Sequence, residues 1–228
     1  GGFTKPITLS TAFTGVTSGK NALEYVDFGG NTLDNIGYAF QACIYLKTVD
    51  MTGVTLTHTS LHSLFINCYE LEDIIGFEQL DISQIRTWQC TFQNCYKLRQ
   101  LDFSHMNIGK ASTFDSTFRG VDLWTEVDLG SKCAEFTEIR GVDFWGNTFY
   151  GSDNLQYVNM SKFSMGNVKA SSSIGGIFGK CALLTNIEPA SGLKLSHDLS
   201  ACVLLWIAFT GGYSPHMIMS FAQPLGVG

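Results

Sequence analysis

The sequence has few charged side chains. Asp, Glu, Lys and Arg make up 15% of the 228 residues, whereas soluble domains carry about 25%. The formal net charge is −6 and the basic residues do not form runs, so the cationic surface that nucleic-acid binding requires is missing. Because 45% of the residues are hydrophobic, the chain is also too apolar to be disordered. We expect a folded protein that does not bind nucleic acid.

Motifs of enzymes and membrane spans are missing as well. The sequence contains no GxSxG elbow, no P-loop, no dinucleotide-binding GxGxxG and no CxxC or Cys/His cluster with zinc spacing. The most apolar stretch, residues 199–209, has about half of the roughly 20 residues needed to cross a bilayer. We therefore expect no catalytic residues, no cofactor and no membrane insertion within these residues.

What the sequence does contain is a repeated phrase with an aromatic anchor. Its first clear copy is Phe40-x2-Cys43-x2-Leu46-x2-Val49, and the anchor returns after 25, 27, 26, 31, 29 and 21 residues. The anchors are Phe40, Phe65, Phe92, Phe118, Phe149, Phe178 and, in a degenerate copy, Leu199. The residues four positions earlier are all large and apolar, namely Ile36, Leu61, Trp88, Phe114, Trp145, Ile174 and Leu195. Repeats of this length are typical of leucine-rich-repeat-like solenoids.

Within a copy, the apolar offsets −4, 0, +3 and +6 favour one face of a short helical turn. The triplets Val49-Asp50-Met51, Leu101-Asp102-Phe103 and Val127-Asp128-Leu129 then alternate with period two, as a short strand does. The predicted fold is a repeat solenoid, a leucine-rich-repeat-like stack of about seven coils, each with a short parallel β-strand and a short helical turn. We assign residues 1–16 to an N-terminal segment or cap, 17–209 to the solenoid and 210–228 to a C-terminal cap or linker.

The repeat also explains most of the seven cysteines, whose odd number cannot form a closed disulfide framework. Five of them share the +3 position with Val121 and Ser152, namely Cys43, Cys68, Cys95, Cys181 and Cys202. A position that accepts Cys, Val or Ser is a small buried slot, which is the alternative to a redox or metal site. Cys90 and Cys133 lie outside this position and are the two cysteines to test for reactivity.

Two phrases resemble a known repeat family. FQNCYKLRQLDFS (residues 92–104) and LEDIIGFEQLDIS (71–83) resemble the BspA-like leucine-rich repeats of bacterial surface proteins and mycoplasma lipoproteins, and the resemblance covers about residues 17–208. It implies an extracellular or cell-surface module that binds a protein or glycan partner and has no catalytic residues. The alternative is a structural or receptor-binding component of a virion or other surface assembly, with a homo-oligomer as a possible form.

Acidic residues supply one candidate site. The outward strand position carries Asp27, Asp50, Ile75, Asp102, Asp128, Asn159 and Glu188 in chain order. The pairs Asp27/Asp50 and Asp102/Asp128 would then be stacked carboxylates, which repel each other by about 1 kcal/mol in water. These four aspartates predict a strip for a cation or a basic ligand. The alternative is that each Asp caps its own turn.

Tyrosines supply the other candidate. Tyr69 and Tyr96 follow the small slot in neighbouring copies, and Tyr45 lies one position further along in the copy before. The three predict a surface aromatic row for a sugar or protein ligand, or tyrosines that merely cover the convex side. His58 and His62 are four residues apart, a spacing that could hold a metal on a helix, but no third ligand is evident.

Overall fold

The computed structural model of the protein describes residues 5–15, 22–103, 106–108, 110–129, 146–160 and 177–188. These residues form a β-solenoid of about five coils with parallel sheets. Its strands are β1 (Tyr25–Asp27), β2 (Thr32–Leu33), β3 (Thr48–Asp50), β4 (Thr55–Leu56), β5 (Asp73–Ile75), β6 (Glu126–Asp128), β7 (Tyr157–Asn159) and β8 (Asn186–Glu188). The predicted solenoid is thus confirmed, while the predicted copy at Leu199 lies outside the described residues.

The strands form three parallel sheets, ordered β1-β3-β5, β2-β4 and β6-β7-β8. Equivalent residues of successive copies pair in register, for example Val26 with Val49 and Val49 with Ile74. This register places the same repeat position of each coil in one straight row along the solenoid. Rows of identical position are therefore the units from which its core and its surface are built.

The core is organised around a ladder of phenylalanine rings. Phe13, Phe40, Phe65, Phe92, Phe118, Phe149 and Phe178 stack in that order, with centroids 5.3 to 6.1 Å apart and ring planes within 14° of parallel. Stacked aromatic pairs contribute about 0.5–1.5 kcal/mol each beyond the area that they bury. The six predicted Phe anchors all lie in the ladder, and the structure adds Phe13, which the repeat pattern had not identified.

The segment around each anchor is not a helix. In the described residues the only helical element is a 3-10 turn at Phe77–Gln79. The backbone enters the left-handed region two residues before and two residues after the anchor, as at Tyr38 (φ 60°) and Ala42 (φ 57°) around Phe40. A left-handed residue every fourth position interrupts a right-handed helix. The prediction of a helical turn in each coil is therefore wrong for the described coils.

This backbone pattern divides the N–H groups between two roles. Alternate residues bond within the coil, as Cys43 N–H does to the Phe40 carbonyl at 3.0 Å. The others donate to the next coil, as Phe40 N–H does to the Leu64 carbonyl (3.1 Å) and Ala42 N–H to the Ile66 carbonyl (2.8 Å). Buried peptide groups must be paired, and here the neighbouring coil supplies the partners that a helix would have found internally.

The sheet is interrupted between β5 and β6, where the repeat predicted a strand at Leu101-Asp102-Phe103 and the structure has none. The indole Nε1 of Trp124 donates to the carbonyl oxygens of Leu98 (2.9 Å) and Arg99 (3.1 Å). In a regular coil the equivalent carbonyl, that of Lys47, accepts the main-chain N–H groups of Glu72 and Asp73. At these two carbonyls the side chain of Trp124 thus takes the place of the next strand's backbone.

Candidate functional site

The structure brings one of the two predicted carboxylate pairs together. Asp27 and Asp50 are register partners in β1 and β3. Asp128, in contrast, pairs with Asn159 of β7, and Asp102 lies in the segment that forms no strand. No strand pairing joins Asp102 to Asp128 in the described residues, so the stack of these two aspartates stays a prediction.

Both paired aspartates cap their own turns. The Asp27 carboxylate accepts the Gly29 N–H at 2.7 Å, and that of Asp50 accepts the Thr52 N–H at 2.8 Å. Hydrogen bonds from the Thr52 hydroxyl and N–H stabilise the charged form and lower the pKa of Asp50. Across the described ranges, no three His, Cys, Asp or Glu side chains are grouped so that they could hold a metal ion. This geometry matches the turn-capping alternative.

The cysteine row has a hydrogen-bonding role that composition does not reveal. In the described coils, each thiol at the +3 position donates to the carbonyl of the anchor Phe in the preceding coil, as Cys68 does to Phe40 (3.0 Å) and Cys95 to Phe65 (3.2 Å). Ser152 uses its hydroxyl in the same way toward Phe118, at 2.7 Å. Burial raises the pKa of the Cys95 thiol far above its usual range, so these thiols are unreactive structural donors.

Cys90 and the two histidines are also accounted for. Burial, with Asp115 nearby, raises the pKa of Cys90 to about 11, which keeps the thiol protonated and weakly nucleophilic at neutral pH. His58 Nδ1 accepts the Ser60 N–H at 3.2 Å, and the His62 ring stacks on Tyr38 at 4.7 Å. Within the described ranges neither histidine belongs to a group of three potential metal ligands. Cys133, the second cysteine singled out for reactivity, and Cys202 lie outside the described residues.

The tyrosines give the most distinctive surface feature. Tyr69 and Tyr96 stack on each other with centroids 5.5 Å apart and planes 16° from parallel. They remain 39% and 41% exposed, so two aromatic rings are held rigidly side by side on the outside of the protein. Tyr45 is 45% exposed but, within the described part of the chain, makes no ring contact with the pair.

Gly120 of the next coil makes room for the second ring. A Cβ atom at this glycine would lie 3.2 Å from the ring of Tyr96 and 3.1 Å from the side-chain oxygen of Asn94. The same glycine has φ 67°, which also favours a residue without a Cβ. The absence of a side chain at Gly120 therefore leaves room for the Tyr96 ring, which stacks on Tyr69.

The exposed apolar side chains concentrate beside this pair. Eight large apolar residues are exposed in the described chain, and five of them lie four or five positions after an anchor: Tyr45, Tyr69, Tyr96, Leu123 and Leu183. We call the continuous central part, made of Tyr45, Tyr69, Glu70, Tyr96, Lys97 and Leu123, the corner row. The sequence had indicated its tyrosines, but Leu123 was overlooked although the same repeat offset identifies it.

The corner row contains one ion pair. Lys97 and Glu70 form a salt bridge, and their side chains are 50% and 38% exposed. Exposed pairs of this kind contribute about 0–1 kcal/mol to stability, so the two charges are not needed for folding. The Lys97 ammonium group and the Glu70 carboxylate therefore lie, paired with each other, between the apolar side chains of the row.

Comparison of the chain with models of protein families, with curated proteins and with solved structures finds no match. Among the described residues, no helix has the length and apolarity that crossing a bilayer would require.

Proposed function

We propose that the protein is a non-enzymatic binding module of the BspA-like leucine-rich-repeat type that acts on a cell surface and binds its partner through the corner row. The observation that carries this proposal is the exposed, stacked pair of Tyr69 and Tyr96. Aromatic side chains that are held rigidly lose little entropy on binding and are enriched at binding hot spots. Five of the eight large apolar residues that are exposed in the described ranges occupy the two repeat positions of the corner row, which supports a single binding surface.

The geometry of the pair favours a protein partner over a glycan. A sugar ring binds an aromatic side chain by lying against its open face, and the stacking of Tyr69 on Tyr96 removes one face of each ring. Gly120 lies close against the Tyr96 ring. The ring edges and hydroxyl groups remain available, and these suit the mixed apolar and hydrogen-bonding contacts of a protein interface.

The test is a binding screen with a matched pair of variants. Wild-type protein is applied to an array of purified extracellular protein domains, this protein among them, and to an array of glycans. We expect binding to one or more protein domains, a loss of at least roughly 10-fold in affinity for the Tyr69→Ala/Tyr96→Ala variant, and unchanged affinity for Tyr25→Ala. Tyr25 is a suitable control because it is 56% exposed and lies in β1, outside the corner row.

Two results would contradict the proposal. If the double variant binds every array partner as tightly as the wild type does, the tyrosine pair is only a covering of the surface. If binding is confined to glycans, the protein-partner assignment is wrong.

A further inference from the structure

At one of the two repeat positions that form the corner row, five residues after the anchor, the order of side chains is self-complementary; at the other, four residues after the anchor, Tyr69 and Tyr96 lie between Ile44 and Asp122. At the position five residues after the anchor, four successive coils carry Tyr45, Glu70, Lys97 and Leu123. Read in the opposite direction, the row again begins and ends with an apolar residue, and each charge is exchanged for its opposite. A surface with this property is complementary to a second copy of itself turned around by a two-fold rotation.

We propose that the partner of the corner row is a second copy of this chain, packed antiparallel with the two-fold axis between the coils of Tyr69 and Tyr96. In this arrangement Glu70 of each copy faces Lys97 of the other, and Tyr45 faces Leu123. The two tyrosine pairs meet at the centre. This inference rests on the proposed function, because it identifies the partner of the same surface.

The coil spacing permits this match. The ring-to-ring steps of the Phe ladder are 5.5 Å from Phe40 to Phe65, 6.1 Å from Phe65 to Phe92 and 6.1 Å from Phe92 to Phe118. The outer residues Tyr45 and Leu123 are therefore nearly equidistant from the centre, and they are exposed to similar degrees, 45% and 52%. Facing residues of two antiparallel copies can meet in register without distortion of either solenoid.

The composition of the row fits an interface of modest size. Exposed aromatic rings lie at its centre, and charges of both signs lie at matching distances from the axis, an arrangement that fixes the register of two partners. The row covers only four coils, or about 15 Å at a strand spacing near 4.8 Å. It therefore belongs with small interfaces that bury less than about 1,200 Å², and we expect a reversible dimer that forms in the micromolar range or above.

A charge-exchange experiment tests the arrangement by sedimentation velocity over a concentration series. The wild type is expected to shift from monomer to dimer as its concentration rises. In a dimer of Glu70→Lys, the new lysine of each copy faces Lys97 of the other. In a dimer of Lys97→Glu, the new glutamate of each copy faces Glu70 of the other. Like charges therefore meet in both cases, and each variant should dimerise at least roughly 10-fold more weakly than the wild type. An equimolar mixture of the two variants places opposite charges at both contacts and should restore dimers of wild-type strength.

A control variant separates the interface from folding. Glu24→Lys removes the Lys47–Glu24 pair, whose side chains are 51% and 58% exposed and which lies outside the corner row. It should dimerise as the wild type does, and all three variants should keep the wild-type circular dichroism spectrum. A mixture of Glu24→Lys with Lys97→Glu should form no more dimer than Glu24→Lys forms by itself.

The outcomes distinguish this inference from the proposed function. A wild type that stays monomeric at the highest concentration, or a charge-exchanged mixture that does not recover, overturns the antiparallel dimer. If the array screen still finds a protein partner that depends on Tyr69 and Tyr96, the proposed function stands with a different partner. If the dimer forms and is lost in the double tyrosine variant, the corner row binds a second copy as inferred.

Discussion

Two buried tryptophans allow a sharp test of how the sheet is interrupted. Trp88 and Trp124 are both fully buried, and each lies among phenylalanine rings 5.5 to 6.1 Å away. Their indole N–H groups differ. Trp124 Nε1 donates to two carbonyls, whereas Trp88 Nε1 has no hydrogen-bond partner in the described structure.

Replacing each tryptophan by phenylalanine removes the same atoms and leaves similar space in the core, so the packing losses largely cancel in the comparison. Trp124→Phe also removes a hydrogen bond that contributes about 1 kcal/mol, and Trp88→Phe relieves a buried unpaired donor that costs about 1–3 kcal/mol. We therefore expect Trp124→Phe to be less stable than Trp88→Phe by about 3 kcal/mol.

Chemical unfolding followed by circular dichroism measures the difference, because circular dichroism does not depend on the substituted fluorophores. Repeat solenoids can unfold in more than one step, so the comparison requires that both variants show the same denaturant slope. Equal stability of the two variants, or a larger loss for Trp88→Phe, would refute the account in which the Trp124 indole substitutes for the missing strand.

Two further predictions concern the repeat positions. Cys95→Val should lower the free energy of unfolding by about 1 kcal/mol because the Phe65 carbonyl loses its thiol donor. Val121→Cys should raise the free energy of unfolding by a similar amount. If thermal unfolding ranks these two variants in the reverse order, the thiols do not have this role. Ala42→Gly should stabilise the protein by about 0.5–1 kcal/mol, since the backbone at Ala42 has φ 57°. The control is Ala39→Gly. Ala39 is buried and does not have a positive φ, so this substitution should destabilise the protein in the same melting assay.

The backbone around each anchor was predictable only in part. In four of the six described coils that follow Phe13, the position two residues after the anchor carries Asn67, Asn94, Gly120 or Gly151, and these residue types favour the left-handed region. That signal was present in the sequence and contradicts a helix. The position two residues before the anchor carries Tyr38, Ser63 and Cys90 with equally positive φ, and no residue preference indicates it, because the next coil's carbonyls hold the backbone there.

The candidate site, too, was predictable from the sequence only in part. The repeat offset was enough to place Tyr69 and Tyr96 in neighbouring coils. Their stacking at 5.5 Å depends on the coil spacing and on the room left by Gly120, which are properties of three coils together. The Asp27/Asp50 register followed from the strand pattern, whereas the same pattern did not indicate that the segment of Asp102 forms no strand.

The sequence by itself determined which side chains point inward and that the chain stacks into repeated coils, because hydrophobic periodicity acts within one coil and recurs in the next. Only the tertiary structure decided which donor satisfies each buried carbonyl and which exposed side chains form a common surface. Those outcomes depend on competition between backbone and side-chain groups from residues more than 20 positions apart. At the break in the sheet, the Trp124 indole is the donor to the Leu98 and Arg99 carbonyls. At the corner row, the stacking of Tyr69 on Tyr96 brings side chains of two coils into one surface.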